Sequence, residues 1–143
     1  MHKNNVRRRR KLGSNMPETV RIASIVQKGV QSGRSSYVEM RALGRLTSQN
    51  VRAKAHTVQS SLKKDDGLNA VLKTLPMEMY EGYADVLTPN GNVRDDKLDA
   101  LLSLDSDIVT CLGVIARERS KEAEDALREL VQERKKFVDA LRA

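Results

Sequence analysis

The C-terminal third of the chain is almost free of helix-breaking residues, and this constrains the fold more than any other feature. Between Val93 and Ala143 the only glycine or proline is Gly113. Apolar residues recur at helical spacing in two groups, namely Leu98, Leu101, Leu102, Ile108, Leu112, Ile115 and Ala116, and then Ala123, Leu127, Leu130, Phe137 and Leu141. The segment is therefore predicted to be helical from a cap at Asn92. It forms either one long helix or, as we favour, two helices with Ser120 capping the second.

A second helix is predicted from about Ser36 to Lys63, because Ser36 and Glu39 have the spacing of a capping box. One face carries the residues that suit a helix-packing seam: Tyr37, Met40, Gly44, Thr47, Val51, Ala55, Val58 and Leu62. At about 100° per residue, an adjoining arc of about 60° collects the cations Arg34, Arg41, Arg45, Arg52, His56 and Lys63. The helix is thus expected to pack on one face and to present positive charge beside it.

Between these two regions, a short amphipathic helix is predicted to begin at Leu68 before Pro76, and helical spacing continues beyond the proline through Met79, Tyr80, Tyr83 and Leu87. The sequence from Thr88 to Gly91 indicates a turn. Only 3% of the residues are aromatic and there is no Trp, so the core must be aliphatic. We predict an all-α fold, a small helical bundle or elongated helical hairpins, with a disordered basic N-terminal arm. Residues 1–15 would be the flexible arm and residues 16–143 a single helical domain, with basic helices in 17–63 and acidic helices in 66–143.

The charge is distributed very unevenly along the chain. Residues 1–64 hold fifteen Lys or Arg and two Glu, a net charge of +13, whereas residues 65–143 have a net charge of −6. Such asymmetry indicates contact with nucleic acid or with a membrane surface. It is equally compatible with self-association of a basic half against an acidic half.

The most specific local signal is the run of five consecutive cations Arg7, Arg8, Arg9, Arg10 and Lys11. These charges repel one another, so the run is most useful against a polyanion, where each neutralised phosphate releases condensed counterions. A targeting signal and a solubilising tail are the alternatives. The predicted nucleic-acid-binding residues are Arg7, Arg8, Arg9, Arg10, Lys11, Arg34, Arg41, Arg45, Arg52 and Lys63.

The segment between the arm and the capping box allows two interpretations. Pro17 and Glu18 favour a short helix, whereas the alternation from Thr19 to Ile25 also fits a strand. With Gly33 to Val38, residues 19–24 resemble the strand and second-helix start of the ribbon-helix-helix family of dimeric DNA-binding proteins. This resemblance implies that Thr19 and Arg21 would face the major groove. It covers about twenty residues, and the gap before Gly33 is too short for that family's first helix.

Catalytic and metal-binding patterns are not found in the sequence. His56 has no acid at helical spacing to orient it, and Cys111 lies among apolar residues, where a buried structural thiol is expected. The aspartates Asp95, Asp96, Asp99, Asp105 and Asp107 are interpreted as the solvated face of an amphipathic helix. We expect no enzyme activity, no cofactor, no metal and no membrane span.

The predicted function is therefore that of a nucleic-acid-binding, self-associating helical protein of the packaging, nucleocapsid or accessory DNA-binding type, which contacts phosphates without sequence readout. The partners would be DNA or RNA and further copies of the chain, in the cytoplasm, nucleoid, nucleus or a virion. The alternative is a structural adaptor or assembly protein whose acidic C-terminal helices dock on a protein partner.

Overall fold

A computed structural model describes residues 36–143, and within this range the protein is all helical. The elements are α1 (Ser36–Gln59), α2 (Leu68–Tyr80), a short 3-10 helix (Ala84–Val86), α3 (Asp95–Arg117) and α4 (Lys121–Arg142). The α1 helix packs mainly on α2 and α3, and α3 packs mainly on α4. The all-α prediction is confirmed for this part of the chain. The predictions for the arm, for residues 16–35 and for the Thr19–Ile25 strand or helix lie outside the described residues.

The core consists of two adjoining clusters of mostly aliphatic side chains. The larger is built from all four helices and is represented by Val51, Leu72, Ile108 and Leu127, which are buried. The smaller joins the start of α1 to the 3-10 helix and the end of α4, through Met40, Leu43, Tyr83, Val86, Leu98, Leu101 and Val138. Burying a side chain of this size contributes about 1.5–3 kcal/mol, so the aliphatic content is sufficient to hold four helices together.

The seam predicted on α1 is largely the buried face of that helix. Met40, Gly44, Thr47, Val51, Ala55 and Val58 are all buried. Tyr37, in contrast, is 53% exposed, because it lies in the first turn, beyond the end of the helix–helix contact. The helix also ends at Gln59 and not near Lys63, because the hydroxyls of Ser60 and Ser61 donate to the carbonyls of Thr57 and Val58 at the C-terminus.

Pro76 lies inside α2, so the helical spacing predicted before the proline and that predicted beyond it, at Met79 and Tyr80, belong to one helix. A proline in a helix interior costs about 3 kcal/mol, because one hydrogen bond is lost and the ring meets the preceding turn. Burial of Leu75 and Met79 on either side of it offsets this cost. In addition, the hydroxyl of Ser48 on α1 donates to the Pro76 carbonyl at 2.6 Å.

The region from residue 93 onward forms two helices, which confirms the favoured interpretation. Ser120 is the N-cap of α4, and its side chain accepts from the Ala123 amide at 3.1 Å. Asn92, however, does not cap α3. Its carbonyl accepts from the Thr88 amide at 2.8 Å in the predicted turn, and Arg94 occupies the cap position instead. Asn92 therefore belongs to the turn, and α3 begins after Arg94.

Candidate nucleic-acid interface

Three of the predicted cations lie together on one exposed edge of α1, which we call the cationic edge: Arg41, Arg45 and Arg52. The cationic edge runs beside the buried face, as the helical periodicity predicts, and His56 lies exposed at its C-terminal end. With a rise of about 1.5 Å per residue, Arg41 and Arg52 are about 16 Å apart along the helix axis. None of the ion pairs formed within residues 36–143 involves Arg41, Arg45 or Arg52.

Lys63, the other predicted cation in this range, does not lie on the edge. It is exposed in the loop that follows α1, where its carbonyl accepts from the Asn69 side chain at 2.7 Å. The helical wheel placed it with the arginines only because the helix was assumed to continue that far. Arg7, Arg8, Arg9, Arg10, Lys11 and Arg34 lie outside the described residues.

Arg41 is held by two tyrosines at the N-terminal end of the cationic edge. Its Nη1 donates to the Tyr37 hydroxyl at 3.0 Å, and its Nη2 donates to the Tyr80 hydroxyl. The guanidinium carbon lies 5.7 Å from the centre of the Tyr37 ring and 5.1 Å from that of Tyr80. Tyr37 and then Tyr80 raise the pKa of Arg41 above its usual value, so the side chain stays cationic.

Some cations elsewhere on the surface form ion pairs with acids of the same chain. Arg119 pairs with Asp66 at 2.7 Å and also with Glu124, and Arg142 pairs with Glu81 at 2.7 Å and Asp85 at 2.9 Å. The outer face of α4 carries charges of both signs, on Arg128, Glu129, Glu133 and Lys136, with the neutral Gln132 among them. The cationic edge differs from these sites in that three arginines follow one another along a single helix and form no ion pair within residues 36–143.

The largest difference from the sequence interpretation is a buried polar network that joins α3 to α4. Asp105 is 0% and Arg134 is 4% exposed. Arg134 Nε donates to Asp105 Oδ1 at 2.6 Å and Nη2 donates to Oδ2 at 3.2 Å, while the Tyr83 hydroxyl donates to Oδ2 at 2.6 Å. The expectation that Asp105 and Asp107 lie on a solvated face is thus wrong, since Asp107 is buried too. Asp95, Asp96 and Asp99 are exposed as expected.

Arg134 also closes the C-terminus of α2. Its guanidinium donates to the carbonyls of Glu78 at 2.7 Å, Met79 at 3.3 Å and Glu81 at 2.9 Å. The Glu78 carbonyl also accepts from the Glu81 amide, the Met79 carbonyl lies in the last turn, and Glu81 is the C-cap residue, so all three belong to the end of the helix. Burial alone would lower the pKa of Arg134, but the attraction of Asp105 outweighs it and the pKa is raised. The network is fully hydrogen-bonded and closed to solvent, so we assign it a structural role.

The remaining features of the described helices offer little chemistry. Cys111 is buried, as predicted, and its Sγ lies 3.1 Å from the Ala123 carbonyl oxygen. No group of three His, Cys, Asp or Glu side chains within residues 36–143 is arranged to hold a metal ion. None of the helices in this range combines the length and the apolar character required to cross a membrane.

Within the described range, the fold and the site together define an all-α protein with a cationic edge on α1. Comparison of the chain with protein-family models, with curated proteins and with solved structures found no match. The residues of the cationic edge and their surroundings are therefore the evidence about function.

Proposed function

We propose that this chain is a non-enzymatic protein that binds nucleic acid through phosphate contacts, without reading sequence. The observation that carries the proposal is the cationic edge, in which Arg41, Arg45 and Arg52 are exposed and form no ion pair within residues 36–143. Arginine donors at the surface of a helix suit phosphate oxygens, and such contacts fix orientation without carrying sequence information.

The charge distribution supports this proposal. Residues 36–143 hold seventeen Lys or Arg and eighteen Asp or Glu, so the helical part is nearly neutral in total. Residues 1–35 hold nine Lys or Arg and a single acid, Glu18. The excess of positive charge therefore precedes Ser36, and the cationic edge begins within two turns of that point.

Salt dependence of binding is the test, because each phosphate contact that is lost reduces the slope of log K against log salt by about 0.7–0.9. We would compare the full chain with Arg45→Gln/Arg52→Gln, using fluorescence anisotropy of a labelled oligonucleotide as salt is raised. The expected result is a slope smaller by about 1.5 and weaker binding at low salt. A third variant, with glutamine at all five positions from Arg7 to Lys11, measures the contribution of the arm.

A matched control separates local contacts from overall charge. Arg128→Gln/Lys136→Gln removes the same two charges from the outer face of α4, where acids alternate with cations. It should leave the slope close to that of the unmodified chain. Equal losses in the two double variants would show that only net charge matters, and absence of binding at low salt would reject the proposal.

Self-association is the second part of the proposal, and it rests on exposed apolar side chains. Val38 is 59%, Leu46 40% and Met77 72% exposed. Val38 and Leu46 both lie on the exposed side of α1, Val38 beside the cationic edge and Leu46 about 100° around the helix from Arg45, so one side of α1 would serve both contacts. Light scattering of the full chain and of Val38→Ser/Leu46→Ser should show a smaller mass for the variant. An unchanged monomeric mass for both would contradict it.

The adaptor alternative has less support. Exposed acids on α4 are interspersed with Arg128, Lys135 and Lys136, and two of the five aspartates of α3 are buried. The C-terminal helices thus offer no extended acidic face among the described residues. Docking of these helices on a protein partner stays a prediction.

A further inference from the structure

The cationic edge ends at a cluster of three side chains, Tyr37, Arg41 and Tyr80, which we call the tyrosine cluster. Tyr37 is 53% exposed and Tyr80 is half-buried, while Arg41 is exposed. Tyr37 lies in the first turn of α1 and Tyr80 is the last residue of α2. Residues 37, 41 and 45 are each one turn apart on α1, so the aromatic side chain continues the row of arginines.

The guanidinium of Arg41 lies over both rings at cation–π distance and is displaced toward their hydroxyl ends. A guanidinium stacked on a ring centre would lie in van der Waals contact, at about 3.5–4 Å. Here the distances to the ring centres are 5.7 and 5.1 Å, and both hydroxyls accept from Arg41. Arg41 therefore fixes the orientation of the two rings and contacts one side of each, while Tyr37 remains 53% exposed.

A close contact between the Tyr80 backbone and Gly44 on α1 also fixes the position of Tyr80. Gly44 on α1 lies so close to the end of α2 that an added Cβ would be 2.8 Å from the Tyr80 carbonyl oxygen. A β-carbon cannot be accommodated at that distance, so the glycine is what allows the two helices to approach. The rings are thus held in place before any ligand arrives, which reduces the entropy cost of binding.

We propose that the tyrosine cluster stacks nucleobases, and that the nucleic acid bound by the cationic edge is consequently single-stranded. The proposal rests on the proposed function and specifies its substrate class. Proteins that bind single strands without sequence preference combine positive charge along the backbone with aromatic rings on which bases stack. Any base can stack in this way, because every base has a π-face. In a duplex the base faces are stacked on one another and are not accessible to a surface tyrosine.

The test compares three ligands of equal length at low salt, using the full chain: a single-stranded oligothymidylate, a duplex, and a strand whose backbone lacks bases. Tyrosine stacking on one base adds about fivefold to a hundredfold in affinity. We expect the oligothymidylate to bind at least about tenfold more tightly than the baseless strand, and more tightly than the duplex.

Two double variants identify the rings as the cause. Tyr37→Leu/Tyr80→Leu removes the aromatic faces and should reduce affinity for oligothymidylate to that for the baseless strand. Tyr37→Phe/Tyr80→Phe keeps the faces, removes the hydroxyls that Arg41 binds, and should retain most of the preference for bases. Affinity for the baseless strand and the circular dichroism spectrum report whether each variant is still folded.

The unmodified protein offers a second, independent readout. It has no Trp and three Tyr, so its fluorescence comes from Tyr37, Tyr80 and the buried Tyr83. Oligothymidylate should quench this fluorescence, and the baseless strand should not. This measurement tests the proposal even if the leucine variant does not fold.

The two proposals fail in different ways. Equal affinity for all three ligands, or tighter binding to the duplex, would leave phosphate binding intact and overturn the assignment of the tyrosine cluster. An unchanged base preference in a folded leucine variant would overturn it as well. Absence of binding to every ligand, including the baseless strand, would reject the proposed function and with it this inference.

Discussion

Replacing Arg134 with methionine should destabilise the protein far more than the removal of an exposed charge in residues 36–143. Methionine keeps much of the length of the side chain but removes every donor. Asp105 would remain at 0% exposure with only the Tyr83 hydroxyl as a donor among the contacts described above. Breaking a buried pair in this way costs about 3–5 kcal/mol, because a buried charge loses its partner.

The loss of three carbonyl contacts places the expected value toward the upper end of that range. The carbonyls of Glu78, Met79 and Glu81 would lose donors at 2.7, 3.3 and 2.9 Å. A domain of this size has a free energy of unfolding of about 5–15 kcal/mol, so the variant should still fold but be marginal. Urea unfolding followed by circular dichroism would measure the difference.

Two further variants show whether the reasoning is correct. Arg142→Met removes an exposed cation with two acidic partners, Glu81 and Asp85, and should cost less than about 1 kcal/mol. Arg134→Met/Asp105→Asn removes the buried charge and keeps an acceptor for Tyr83. The double variant should be more stable than the sum of its single changes predicts. Strict additivity, or a cost for Arg134→Met no larger than that for Arg142→Met, would refute the argument.

Three other predictions follow from local geometry. Gly44→Ala should destabilise the protein by about 1–3 kcal/mol, because the new Cβ would meet the Tyr80 carbonyl. Gly113→Ala should stabilise it by about 0.5–1 kcal/mol, because the nearest neighbour of its Cβ would be a flexible arginine tip at 3.7 Å. Thermal unfolding of the two variants checks the sign of both changes. Burial, and then Asp105, raise the pKa of Tyr83 well above its ordinary 10.0, so the folded state holds the phenol proton more tightly than the unfolded state. This contribution to stability is complete below about pH 10 and is lost above it by up to about 1.4 kcal/mol per pH unit. Tyr83→Phe should lack that part of the alkaline loss in urea titrations, and an identical pH dependence would contradict the assignment. Ser120→Ala should lower the free energy of unfolding by about 1 kcal/mol by removing the acceptor for the Ala123 amide, and a change near zero would show that the cap is unimportant.

Features that repeat with the period of a helix could be predicted from the sequence. The all-α class, the buried face of α1 and the adjoining row of Arg41, Arg45 and Arg52 follow from periodicity alone. The cap at Ser120 and the burial of Cys111 could also be predicted, because each depends on residues a few positions away. Such patterns involve residues that are close in sequence, so they can be recognised without the tertiary structure.

Boundaries were less predictable, since they depend on competition between groups. The end of α1 at Gln59 reflects the hydroxyls of Ser60 and Ser61, which satisfy the last carbonyls. Continuation of α2 through Pro76 reflects the apolar contacts on either side, which outweigh the backbone penalty. In both helices, contacts that a helical wheel does not show outweighed the preference expected from the sequence pattern.

Only the tertiary structure decided which polar residues are structural and which belong to the candidate site. Asp105 meets Arg134 across 29 positions and Tyr83 across 22, so an aspartate that belongs by sequence to an acidic helix is buried in a network. Tyr80 meets Arg41 across 39 positions, so an aromatic partner joins the cationic edge from another helix. The sequence by itself determined the helices and the charge along α1. The neighbours of that charge were decided by packing, because contacts between distant segments form only where buried surfaces match.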